Sequence, residues 1–104
     1  MTDAIQDVLE LTRPKWSVKV LTTLAAGPRR FTDLQREITI QTGETLHARS
    51  LTTTLVRLKD HDLVRHEPQA AVPAYRLSTK GRELVQLLQE IDSWGRRHPV
   101  HRDS

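Results

Sequence analysis

Apolar residues recur along the chain at two spacings, and their alternation with polar positions predicts the elements one by one. Ile5, Val8, Leu9 and Thr12 fall three and four apart, so a short helix is expected over residues 3–11. Pro14 suits the first turn of a second helix, whose inward stripe would be Trp16, Val20, Leu21 and Leu24, with Gly27-Pro28 as its stop. "RRFTDLQREI" opens a third, with Phe31, Leu34 and Ile38 inward and Thr32 and Gln35 at the spacing of a capping box. The polar stretch "TIQTGET" reads as a connector around Gly43. A fourth helix follows from residue 47 to 59 or 60, with Leu51, Leu55 and Leu58 on one face.

The spacing then changes. "DLVRHE" and "PAYRLS" read as two short strands around a tip bracketed by Pro68 and Pro73. Ser78 is placed to cap a long last helix with apolar positions Leu84, Leu87, Leu88, Ile91 and Trp94. The expected fold is mainly α with a small β-hairpin, in the order of a winged helix-turn-helix. One domain is expected over 1–97, with end helices at 3–11 and 79–97, the helix-turn-helix at 31–60 and the wing at 62–78. Residues 98–104 would form a flexible tail.

The fourth helix raises a question, because it carries Thr52, Thr53 and Thr54 in succession. Threonine is a poor helix former, since its β-branch loses rotamer freedom and its hydroxyl competes for backbone groups. Stepping about 100° per residue from the leucine stripe puts Arg49, Thr53 and Val56 nearly opposite it. Thr52 and Arg57 fall on the flanks, and Thr54 at the core edge. No acidic residue occurs from His47 to Leu58, whereas a merely solvated helix usually carries Glu–Lys pairs. Threonine and arginine instead suit a DNA major groove, where they reach phosphates, base edges and the thymine methyl.

Composition narrows the picture. A chain of 104 residues with 37% hydrophobic and 4% aromatic content makes a thin aliphatic core, to which a helix-mediated dimer would add stability. The net charge of +3 suits a polyanionic partner. There is no cysteine, which excludes disulfides, thiol redox chemistry and thiolate metal sites. No apolar run approaches the roughly 18 residues of a membrane span, and the acidic, amphipathic start is unlike a secretion signal, so a cytoplasmic protein is expected. His61, His66, His98 and His101 lack the convergent partners zinc requires. The hydroxyls of "LTTTL" have no histidine–carboxylate pair around them, so neither an enzyme nor a bound cofactor is expected. Trp16 and Trp94 read as packing residues rather than the lining of an effector pocket.

Three blocks, "KWSVKVLTTLAAGPRRFTDLQREI", "SLTTTLVRLKDHDLV" and "YRLSTKGRELVQLLQEIDSWG", together resemble the HxlR family of bacterial winged-helix transcription regulators. The likeness runs from about residue 14 to 95 with all blocks in order. It implies a sequence-specific double-stranded DNA-binding regulator, a homodimer built from the first and last helices on a palindromic operator. Carried onto this chain, Arg29 and Arg30 lie at a turn where phosphate contacts are expected, and Thr32 and Arg36 lie beside the DNA backbone. His47, Arg49, Ser50, Thr52, Thr53 and Arg57 lie on the recognition helix, while Arg65 and Arg76 on the wing strands are weaker candidates. Ile5, Val8, Leu9, Leu84, Leu88, Ile91 and Trp94 would form the dimer interface.

Three features depart from the family pattern. The connector over 38–47 is about five residues longer, the wing is short with the uncharged tip "QAA", and Asp62 stands where a glycine is usual. Position 62 should need left-handed backbone, which Asp tolerates better than most residues. Thiol-based sensing, used by part of the family, is closed to a chain without cysteine; a small-molecule effector in the dimer crevice stays open, and no polar cluster identifies one. The alternative function is a winged-helix module for protein–protein contact. An apolar aromatic patch on the fourth helix would favour it, and the arginine and threonine face favours DNA.

Overall fold

A computed structural model describes residues 3–71 and 73–100. Its elements are α1 (Ala4–Thr12), α2 (Ser17–Ala25), α3 (Phe31–Thr42), α4 (Ala48–Asp60), β1 (Val64–Glu67), β2 (Ala74–Leu77) and α5 (Thr79–Arg97). The two strands pair antiparallel, Val64 opposite Leu77 and Arg65 opposite Arg76. This is the expected order of elements, and their bounds fall within a few residues of expectation except at α2 and α3. His101 and most of the expected tail lie outside the described residues.

The core is aliphatic and central. Val20, Leu21, Leu34, Ile38, Leu51 and Leu58 are fully enclosed, so the stripes of α2, α3 and α4 meet as their spacing requires. Leu63, Val64, Leu77 and Val85 close the core beneath the hairpin. Leu46, just after the polar stretch around Gly43, is also wholly buried. Burying such a side chain contributes about 1.5–3 kcal/mol, enough to anchor the segment that leads into α4.

Three local expectations are corrected. Pro14 does not begin a helix but closes a turn, with the Ser17 amide donating to its carbonyl at 3.0 Å. Thr32 and Gln35 form no capping box: Arg30 is the N-cap of α3, without a side-chain cap, and Gln35 Nε2 donates to the Leu46 carbonyl at 2.9 Å. The extra residues before α4 do not lengthen a loop. They add a turn to α3, which runs on to Thr42 and ends at Gly43 in left-handed backbone with φ 70°. The following chain is tied back by the Leu46 amide, which donates to Thr39 Oγ1 at 3.0 Å.

Two features at the junction of wing and last helix follow the sequence closely. Asp62 has φ 58°, the left-handed geometry foreseen for it. Ser78 caps α5 by accepting from the Gly81 amide at 2.9 Å, and its hydroxyl donates to the Asp62 carbonyl at 2.6 Å. Gly81 itself packs so closely on β1 that a β-carbon there would lie 2.1 Å from the Leu63 carbonyl oxygen.

Candidate nucleic-acid interface

Helix α4 presents two unlike faces. Leu51, Leu55 and Leu58 are buried, and Thr54 joins them, its Oγ1 donating to the Ser50 carbonyl at 2.9 Å. Arg49, Thr52, Thr53 and Val56 all face outward and are exposed. The threonine run therefore divides: one serves the core, and two stand on the surface without a side-chain hydrogen bond among the described residues. Arg49 likewise has no partner among them. The first turn of α4 contains no acidic side chain, so its positive N-terminal end is uncompensated, a setting that favours anions. His47 is the N-cap, exposed and without a side-chain cap bond.

The N-terminal end of α3 adds a second basic element. Arg30 Nε donates to Asp33 Oδ2 at 3.2 Å and Arg36 Nη2 to Asp33 Oδ1 at 2.9 Å, so one carboxylate holds two arginines side by side. Both arginine side chains are largely exposed, at 61% and 67%. Exposed pairs of this kind are worth about 0–1 kcal/mol, so a phosphate can displace the carboxylate at small cost. Thr32 is exposed on the same helix.

Two of the expected DNA-contact arginines have protein partners instead. Arg29 is half-buried, donating from Nε to Glu37 Oε2 at 2.6 Å and from Nη1 to the Gly27 and Pro28 carbonyls, each at 3.0 Å. Its backbone bridges Tyr75, with both amide–carbonyl bonds formed, and so adds a one-residue third strand along the outer edge of β2. Arg57, on the flank of α4, donates to the Glu10 and Leu11 carbonyls of α1. Sequence reasoning missed both roles. The acceptors are backbone atoms or distant residues, which leave no local signature.

The remaining sites are less central. Ser50 is half-buried beneath Thr54. On the wing, Arg65 and Arg76 face each other across the strands and are exposed, with Arg76 Nη1 donating to Glu67 Oε1 at 2.8 Å. His66 stacks on Tyr75 with ring centroids 4.3 Å apart.

On another face lies an apolar groove between α1 and α5, lined by Ile5, Val8, Leu9, Leu87, Leu88, Ile91 and Trp94. Ile5, Ile91 and Trp94 are 71%, 64% and 51% exposed. Leu84 forms the groove floor and also belongs to the buried core; Leu87, not foreseen there, takes an outer position. Trp94 packs against His98 rather than into the core.

The profile of the HxlR-like helix-turn-helix family matches residues 11–103. The chain belongs to that family. This HxlR-type protein is 32% identical over 93 residues to an uncharacterized HTH-type transcriptional regulator of Methanothermobacter thermautotrophicus, a match spanning 86% of this chain and 67% of the other. The reduced form of YodB from B. subtilis superposes with a TM-score of 0.76 at 24% identity, covering 99% of each chain. A transcriptional regulator of the MarR family from Enterococcus faecalis V583 gives 0.77 at 23% identity, covering 93% of this chain and 89% of that one. These likenesses establish the fold as that of winged-helix regulators. The family assignment makes the HxlR-type chain a helix-turn-helix transcription regulator and not an enzyme.

Proposed function

We propose that this HxlR-type regulator binds double-stranded DNA sequence-specifically, as a homodimer on a palindromic operator. The observation that carries the reading is the outward face of α4: exposed Arg49, Thr52 and Thr53, no acidic residue before Asp60, and a buried opposite face that fixes its direction. In this reading α4 enters the major groove with its N-terminal half on the bases, where Arg49 takes a guanine edge and the threonines pack on thymine methyls. Arg30, Arg36 and Thr32 hold the flanking phosphates, with His47 beside them. Arg65 and Arg76 lie on the wing as secondary contacts, and Ser50 supports the helix from below.

The dimer half of the proposal draws on the α1–α5 groove. Its exposed aliphatic and indole side chains form one contiguous face, and a second copy of the same face would cover it about a two-fold axis. Residues 3–97 form one domain in this reading, with both end helices given to association. The test is selection from a randomised duplex library with the purified protein, alongside light scattering at micromolar concentration. A palindromic sequence preference and a dimeric mass are expected. Binding without sequence preference, or none at all, would return the α4 face to contact with a partner protein.

A further inference from the structure

Arg57 carries the charge and sits on the helix expected of a DNA contact, yet its guanidinium turns back to α1. Nη2 donates to the Glu10 carbonyl at 2.6 Å and Nη1 to the Leu11 carbonyl at 3.1 Å, across 47 and 46 residues of sequence. Both carbonyls lie in the last turn of α1, where helix geometry leaves them without intrahelical donors. That last turn contains no basic residue of its own; Arg13 follows at the C-cap, and the guanidinium that bonds these two carbonyls comes from α4. Other ties between α1 and the body are few. No residue of α1 is fully buried; Leu11 packs against the core, while Ile5, Val8 and Leu9 stay outside.

We infer that Arg57 is a positioning residue: by capping α1 it fixes the reading helix relative to the arm that meets the second copy, and so sets which spacing of operator half-sites the dimer accepts. The inference rests on the homodimeric DNA-reading function proposed above. A planar guanidinium fork on two successive carbonyls constrains orientation as well as distance, which a single flexible ammonium would not. Arg57 lies eight residues beyond Arg49, about 12 Å along a rigid helix. A swing of about 15° over that length moves the reading end by about 3 Å, close to the roughly 3.4 Å rise of one base pair. Loosening this cap frees α1 to shift against α4, and a shift of that size changes the separation of the two reading ends in a dimer by about one step of DNA without altering the side chains that read it.

The experiment compares wild type, Arg57→Ala and Arg57→Lys on duplexes carrying the selected half-site alone, or two copies at spacings changed one base pair at a time. Arg57→Ala should bind the single half-site within about two-fold of wild type and keep its base preference. At the preferred spacing it should lose about tenfold in affinity and spread over neighbouring spacings, with Arg57→Lys between the two. Because the chain has no cysteine, Lys59→Cys places one spin label on each α4, and the label–label distance distribution should broaden in Arg57→Ala without DNA. If the Ala variant does not fold, the Lys variant carries both measurements. An altered base preference, or a salt slope reduced by about two per dimer, would mean that Arg57 touches DNA and would overturn the inference. So would unchanged spacing profiles and label distances. A wild type that selects no sequence would instead remove the proposed function, while the label distances still test the link between α1 and α4.

Discussion

The side of α4 that turns from the core carries Arg49, Thr52, Thr53 and Val56, whereas the outer side of α5 carries Leu87, Ile91 and Trp94. Both helices are strongly amphipathic, α4 burying Leu51, Leu55 and Leu58 and α5 burying Gly81, Leu84 and Val85. What separates them is the kind of surface left over. On α5 the surplus is apolar area, which lowers its free energy by leaving water and is satisfied by another apolar face. On α4 it is unpaired donors and positive charge, which gain little from an apolar partner and much from a polyanion. Two faces of one small domain thus call for different chemistry, and the self-pairing, DNA-reading regulator proposed above would use both.

The strongest way to break this contrast is to make α5 resemble α4. Ile91→Asp puts a carboxylate where the proposed dimer would bury it, and an uncompensated buried charge costs about 3–5 kcal/mol. Light scattering should show a monomer at concentrations where wild type is a dimer, with the cooperative component of operator binding lost. Thermal stability of the protomer should change little, because Ile91 is exposed within it. A wild type already monomeric would collapse the comparison from the other side.

The next test strips α4 of its distinguishing group. Arg49→Ala should cost about 1–3 kcal/mol on the selected operator and relax preference at one base pair in each half-site. Competition against a randomised library reads both effects, and an unchanged sequence logo would mean that α4 is not the reader. Arg30→Ala should act differently, weakening every sequence by a similar factor. With Arg30, Arg36 and their two-fold mates on about four phosphates, log affinity should fall against log salt with a slope near −3.5, and Arg30→Ala should flatten it by about two. Arg29 is left out of that count because its guanidinium is held by Glu37 and two carbonyls.

The smallest effects separate the threonines of α4 from one another. Thr53→Ala should weaken DNA binding by less than Arg49→Ala does and leave the melting temperature equal or slightly raised, since Ala is the better helix former. Thr54→Ala removes a buried methyl and the bond to the Ser50 carbonyl, and should destabilise by about 1 kcal/mol with the sequence logo intact. Equal melting temperatures for the two variants would contradict the division of the threonine run.

Much of this arrangement could be read from the residues, and the parts that could not share a physical cause. Helical spacing placed the buried leucines and isoleucine of α2, α3 and α4, and it separated Thr54 from Thr52 and Thr53, but on α5 it missed Val85. Ser78 and Asp62 were legible because a cap and a left-handed corner are local demands met by local chemistry. The end of α3 was not: Thr39, Gln41 and Thr42 give no apolar signal, and the extra turn is held by bonds to Leu46 that form only in the folded chain. The roles of Arg29 and Arg57 were hidden for the same reason. Their charge pointed to phosphate, but what holds them is a backbone bridge to Tyr75, a carboxylate eight residues on, and carbonyls 46 and 47 residues distant. Side-chain type announces what a residue can bind, and only the fold decides what reaches it first.

The close approach of Gly81 to the Leu63 carbonyl has a consequence for inheritance. Position 81 has no room for any side chain, and the obstacle is backbone rather than a movable side chain. Every missense change there forces α5 off the hairpin, so such alleles should be recessive and should abolish control at every promoter alike. Alleles at Arg49 should instead discriminate, sparing some promoters while releasing others, and a stable Arg49 variant that still pairs with wild-type protomers should interfere with them in a mixed population. A collection of spontaneous regulatory mutants would therefore sort by dominance into those that dismantle the scaffold and those that change what it reads.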